Sequence, residues 1–242
     1  MGNGMNKILT GLYIGSVRDS KDMEQLKTNC ITHIISIHDN ARKGGLQDIE
    51  YLCILASDSP NQNLSQFFPQ CNDFIHCARL SGGSVFIHCL AGVSRSVTIA
   101  VAYLMSVTSL NCKEALEALR GARSISAPNY GFQRQLEEFE LRRLKAERKR
   151  LNTKFSQKLF QIQDEEEVRK LIGNYHSIIH SPEGSHKSTS IPVSNPRSES
   201  SSPMGTSQSS QLTSPQLGTS YRRSPHVNRK LNIRLFKDNK TL

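Results

Sequence analysis

Several features are missing from this chain, and each absence narrows what it can be. No run of about 18 apolar residues occurs, which excludes a membrane-spanning helix; the longest candidate, Val97 to Val107, is too short. No charged start leads into an apolar stretch, so there is no sign of a secretory signal. No Cys-x-x-Cys pair occurs among Cys30, Cys53, Cys71, Cys77, Cys89 and Cys112, so a zinc site is not expected, and the spacing suits a reducing compartment. Excess positive charge is absent from the first part of the chain. Residues 1–141 carry 12 Lys or Arg and 13 Asp or Glu, so the net +10 of the 242-residue chain arises wholly in residues 142–242.

What is present centres on one loop. His88-Cys89-Leu90-Ala91-Gly92-Val93-Ser94-Arg95-Ser96 follows the apolar run Ser84 to Ile87, which reads as a buried strand. It precedes Val97 to Val107, which reads as a buried helix. A thiolate, not a thiol, is the nucleophile, and a helix N-terminus lowers a thiol pKa. Cys89 is placed where backbone N–H groups of Leu90, Ala91, Gly92, Val93, Ser94 and Arg95 form an anion cradle. Gly92 permits backbone angles that a side chain resists. Arg95 offers a planar fork for two phosphate oxygens. Ser96 is expected to donate its hydroxyl to the Cys89 sulfur, and His88 to orient the loop through a ring hydrogen bond. This is the residue set that cysteine-dependent phosphate-ester chemistry needs, with no metal or cofactor.

The wording of that loop resembles the protein tyrosine phosphatase superfamily, in its dual-specificity branch. Gly11 to Gly15, Thr32 to Ser36 and Asn129 to Leu136 agree with it, and the opening Met1-Gly2-Asn3-Gly4-Met5 is similar to the small myristoylated atypical members. The resemblance covers residues 1 to about 145. It implies a central, mostly parallel sheet flanked by helices, and phosphoprotein substrates, MAP-kinase pathway components among them. Expulsion of an alkoxide or phenoxide needs a proton donor. The family carries that acid in an Ala-x-Asp-x-Pro context, which Ala56-Ser57-Asp58-Ser59-Pro60 matches. Asp58 is therefore the expected acid, and then the base for the attacking water. Asp39, the rival carboxylate, is read as an ordinary loop residue.

Alternating strands and helices imply an α/β domain with a central sheet. Helices are expected over 19–27, 65–80, 95–107, 112–120 and from 131 to about 150, with Asn111 as a cap and Gly121 as a stop. A short helix over 164–173, capped by Asp164, is expected to follow. The domain reading is a catalytic domain over 1–146, a basic helical extension over 147–176, and a Ser/Pro-rich basic tail over 177–242 whose composition cannot support a core.

Gly2 opens an N-myristoylation motif, although Asn6 departs from its usual Ser or Thr. One myristoyl chain anchors only marginally. Arg142 to Arg150 and Tyr221 to Lys240 are basic segments that would add attraction to anionic lipid; the alternative is a solvated helix face and a basic tail. A peripheral site on the cytoplasmic face of membranes follows. Nucleic acid is not an expected partner, because no recognisable module accompanies the basic charge. Two other functions compete. A phosphoinositide or RNA 5′-phosphatase is disfavoured by the uncharged loop interior and by Ser96-Val97 after the arginine. A phosphopeptide-binding scaffold is disfavoured because Cys89, Arg95 and Asp58 are all present. No tyrosine-bearing insertion deepens the pocket, which leaves room for phosphoserine and phosphothreonine beside phosphotyrosine.

Overall fold

A computed structural model describes residues 4–39, 48–155 and 160–180, all within one compact unit spanning 1–189. The expected lipidation position Gly2, the loop Arg42 to Gly45 and the tail beyond His180 lie outside the described residues.

Five strands form one sheet: β1 (Asn6–Leu9), β2 (Leu12–Ser16), β3 (Ile31–His38), β4 (Glu50–Leu55) and β5 (Ser84–Cys89), in the order β1-β2-β5-β3-β4. Only β1 and β2 are antiparallel; the other three pairings are parallel. The central strand β5 is buried on both faces at Val85, Phe86 and Ile87, the continuous apolar run that a covered parallel strand requires. Its register sets Cys89 opposite Ser16 and His88 opposite Ser36, while Leu55 of β4 lies opposite His38. The carboxyl ends of four parallel strands therefore share one edge, where ligands bind in open α/β sheets.

One face of the sheet is covered by α1 (Met23–Thr28), whose Leu26 packs with Ile31, Ile34 and Phe86. Asp22 caps α1, accepting from the N–H groups of Glu24 and Gln25. The helix expected from Asp19 thus starts later, because 19–21 form a separate 3-10 turn. The other face carries α2 (Phe68–Leu80), α3 (Arg95–Val107), α4 (Cys112–Ala122) and α5 (Tyr130–Arg142). α3 is buried on nearly every side, as a helix that is apolar all round must be. Asn111 and Glu114 form the capping box that starts α4.

Three expectations change. Gly121 lies inside α4 and does not stop it; a β-carbon there would sit 1.9 Å from the Leu171 carbonyl oxygen. Glycine is there for close helix contact. The single helix expected over 131–150 breaks at Arg143 into α5 and α6 (Leu144–Lys154). The break lets Leu144 and Leu151 turn inward, and Glu147 then accepts from Asn72 at 2.8 Å. Finally, α7 runs Gln161–His180, and Asp164 sits inside it instead of capping it. Its carboxylate is needed elsewhere: it holds the buried Arg79 through two hydrogen bonds. Glu165 and Glu167 of the same turn hold Ser109 and Thr10. Composition shifts near residue 146, but packing against the core continues through α6 and α7.

Candidate active site

The loop after β5 passes directly into α3, and its carbonyl groups face outward. Leu90 O accepts from Val17 N–H, Val93 O from Ala127 N–H, and Gly92 O and Ala91 O from Arg123. Gly92 has φ +68°, and a β-carbon there would lie 2.4 Å from Gly15 O. The loop closes this tightly on β2 only with glycine. The Cys89 sulfur lies 3.2 Å from Ser96 Oγ. Burial raises the thiol pKa. Hydrogen bonds from the Ser96 hydroxyl and the N–H groups of Ser96, Val93 and Gly92 outweigh burial and leave Cys89 below its ordinary value. The start of α3 adds a favourable dipole.

Arg95 is buried, with Nη1 donating to Ala56 O at 3.0 Å. Its Nε has no hydrogen-bond partner among the described residues. A buried guanidinium N–H without a hydrogen bond costs free energy unless an anion meets it, and the anion nearest this atom is the Asp58 carboxylate. Leu90 projects outward, 65% exposed, beside the cradle. His88 is buried and its ring stacks on Phe86 at 5.5 Å. Among the described residues its Nδ1 has no hydrogen-bond partner, while the ring makes a hydrogen bond with the backbone at Cys89. Burial pushes the His88 pKa down to about 4.

Asp58 stands at the same edge. Its Oδ2 is 3.6 Å from Arg95 Nε, and its Oδ1 accepts from Ser94 Oγ at 2.7 Å and Asn129 Nδ2 at 2.8 Å. Asn129 also caps α5 through Oδ1, accepting from Phe132 N–H. Gly131 brings that helix against the acid loop: a β-carbon there would lie 2.0 Å from Pro60 O. Gln135 completes the clasp, accepting from the N–H groups of Leu64 and Ser65 and donating to Gln62 O. Asp39, expected to be an ordinary loop residue, has its carboxylate 3.7 Å from Arg95 Nη1.

Residue patterns gave no role to Asn129 or Arg123. Asn129 precedes a helix, as capping residues do, but its second partner Asp58 is 71 residues away. Arg123 ends α4 and shows no local signal. Among the described residues no group of His, Cys, Asp and Glu is arranged to hold a metal ion.

Residues 12–142 match the family described as dual specificity phosphatase, catalytic domain. Human dual specificity protein phosphatase 22 is 50% identical over 172 residues, covering 71% of this chain and 92% of the relative. Mouse dual specificity protein phosphatase 15 is 48% identical over 172 residues, 71% of this chain and 72% of the relative. The crystal structure of DUSP15 superposes with a TM-score of 0.62 at 48% identity, covering 64% of this chain and 98% of that one. With Cys89, Arg95 and Asp58 gathered at one sheet edge, and with matches of this extent, the chain belongs to the dual specificity phosphatase family of protein phosphatases.

Proposed function

We propose that Cys89 is the nucleophile of a two-step phosphate-ester hydrolysis, with Asp58 serving both steps. The observation that carries this is the convergence on Cys89 of the Ser96 hydroxyl and three backbone N–H groups, with Arg95 at the same loop, its Nε making no hydrogen bond among the described residues. The phosphate of a phosphotyrosine, phosphoserine or phosphothreonine side chain enters the cradle formed by residues 90–95. Arg95 binds its oxygens and the charge that develops on them. The Cys89 thiolate attacks phosphorus as the ester bond breaks, and Asp58, as the acid, gives its proton to the departing oxygen. In the second step Asp58, now a carboxylate, takes a proton from water as that water attacks the phosphocysteine. Inorganic phosphate leaves, and the Ser96 hydroxyl stabilises the departing Cys89 thiolate. His88 supports the loop from behind by packing on Phe86 and by its hydrogen bond with the backbone at Cys89.

Asn129 and Ser94 hold one Asp58 carboxylate oxygen and leave the other toward Arg95. Substrates are phosphoproteins, and MAP-kinase pathway components are the candidates that the resemblance suggests. The same reading makes Gly2 a lipidation site and places the enzyme at the cytoplasmic face of membranes. Part of the basic segment is engaged with the domain itself: Arg148 donates to Met105 O and Leu110 O, and Arg150 pairs with Asp73 and Glu147. Arg142 pairs with Glu138 and Arg143 donates to Ser65 Oγ, so the exposed Lys145 and Lys149 are the charges of this segment left to meet anionic lipid.

The test uses purified protein with phosphotyrosine and phosphothreonine peptides. Cys89→Ser abolishes turnover of both, and Asp58→Asn slows it by about a hundred- to ten-thousandfold. Full activity in Cys89→Ser overturns the mechanism. Preference for an inositol phosphate or a 5′-triphosphate RNA over both peptides overturns the substrate class. For the anchor, Gly2→Ala is expected to leave the membrane fraction; an unchanged distribution rejects it.

A further inference from the structure

The four outward carbonyl groups of the phosphate loop are not held alike. Those at the ends are held by main chain, Leu90 O by Val17 N–H at 3.3 Å and Val93 O by Ala127 N–H at 2.9 Å. The middle two depend on one side chain: Arg123 Nη2 donates to Ala91 O at 3.2 Å and Nε donates to Gly92 O at 2.8 Å. A peptide unit is planar and trans, so its C=O and N–H point to opposite sides. Holding Ala91 O outward turns the N–H of Gly92 inward, and holding Gly92 O outward does the same for Val93. Those are two of the three backbone N–H groups that face the Cys89 sulfur. Arg123 is itself buried, and its remaining terminal nitrogen donates to Asn6 Oδ1 at 2.7 Å and Gly4 O at 3.3 Å. Gln25 pins the same segment, accepting from Met5 N–H at 2.8 Å.

We propose that Arg123 is a positioning residue that keeps the peptide units 91–92 and 92–93 turned with their N–H groups toward Cys89, and that residues 4–6 set its orientation from behind. This rests on the reading of Cys89 as nucleophile. Arg123 does not touch the reacting sulfur; it acts through the loop backbone. A fork with fixed donors at Nε and Nη2 can hold two successive carbonyls at once, which an ammonium cannot do with the same geometry. The N-terminal segment thereby becomes part of the catalytic architecture, joined to the phosphate loop through one guanidinium group.

The test separates orientation from charge. In the full chain, the pH dependence of iodoacetamide alkylation is followed at the Cys89 peptide by mass spectrometry, for wild type, Arg123→Met, Arg123→Lys and Asn6→Ala. Arg123→Met is expected to raise the midpoint by about one pH unit, about tenfold less thiolate at pH values below both midpoints. Arg123→Lys keeps the charge and loses the fork, so its midpoint also rises, by less. Asn6→Ala shifts it in the same direction by the smallest amount. If Arg123→Lys and Asn6→Ala both titrate with wild type, charge alone accounts for Arg123 and the proposal is wrong. Those two variants decide the matter even where Arg123→Met folds poorly. Alkylation reports on the thiol whether or not hydrolysis uses it, so failure here is distinct from retained hydrolysis in Cys89→Ser.

Discussion

Arg79 and Arg95 are both buried guanidinium groups in the same domain, and their surroundings could hardly differ more. Arg79 donates to both oxygens of Asp164, to the Tyr103 hydroxyl and to Thr10 O, and lies 4.5 Å from the Phe160 ring centre. Arg95 donates to a single carbonyl, its Nε makes no hydrogen bond among the described residues, and its ion pairs with Asp58 and Asp39 are long, 3.6 Å and 3.7 Å. A buried charge is tolerated when it is paired and hydrogen-bonded. Arg79 meets that condition within the fold and fastens α7 to the core. Arg95 leaves the condition partly unmet, and under the proposed mechanism an arriving phosphate dianion would complete it. The difference separates an arginine used for stability from one held ready for substrate.

The sharpest way to break this comparison is to exchange the two losses. Arg95→Lys is expected to lower kcat/KM by about a thousandfold, as for loss of a transition-state charge partner, with the melting temperature held or raised. Inorganic phosphate should raise the melting temperature of wild type and not of this variant. Arg79→Met is expected to do the reverse. It leaves Asp164 buried without its partner, a loss of about 3–5 kcal/mol in denaturant titration, while turnover per folded molecule is kept. Equal loss of activity and stability in both variants would erase the distinction.

Acid provides a smaller effect at the catalytic end. The folded pKa of His88 is pushed down to about 4 from an ordinary 6.5. Below 6.5 the unfolded chain takes up the proton first, so the stability from this neutral ring is complete above 6.5 and is lost as the pH falls toward 4. At pH 5 that loss is about 2 kcal/mol. His76 carries a similar depression at the α7 side, down to about 4 through burial, Arg79 adding to it. Melting temperatures recorded from pH 7 to 5 should therefore fall less steeply in His88→Asn, and less steeply again when His76→Asn is added. The smallest effect is expected from Asp39→Asn. Its carboxylate is 63% exposed, and an exposed ion pair contributes at most about 1 kcal/mol, so kcat/KM should change by less than about fivefold. A loss as large as that of Asp58→Asn would make Asp39 the acid.

Much of this was legible before any fold was known, and the reason is local. Strand, glycine-bearing loop and helix follow one another in the chain from Ser84 to Val107, so the relation of Cys89 to Ser96 and Arg95 is nearly covalent. The cap at Asn111 bonds within three residues. Asp58 was found by its Ala-x-Asp-x-Pro context. The misjudged elements share the opposite property. Asp164 looks like a cap until Arg79, 85 residues away, takes its carboxylate. Gly121 looks like a stop until Leu171 packs onto it.

By itself, then, the amino-acid order set Cys89, the loop of residues 90–95 and the Arg95 guanidinium together, because backbone geometry over a few residues suffices to place them. Only the tertiary structure decided what holds them in that state. Asn129 holds the Asp58 carboxylate, Arg123 bonds two carbonyls of the loop, and Arg79 with Asp164 binds α7 to the core. Each of these acts through hydrogen bonds between segments far apart in the chain, and such bonds depend on the approach of packed elements, which no local run of residues specifies.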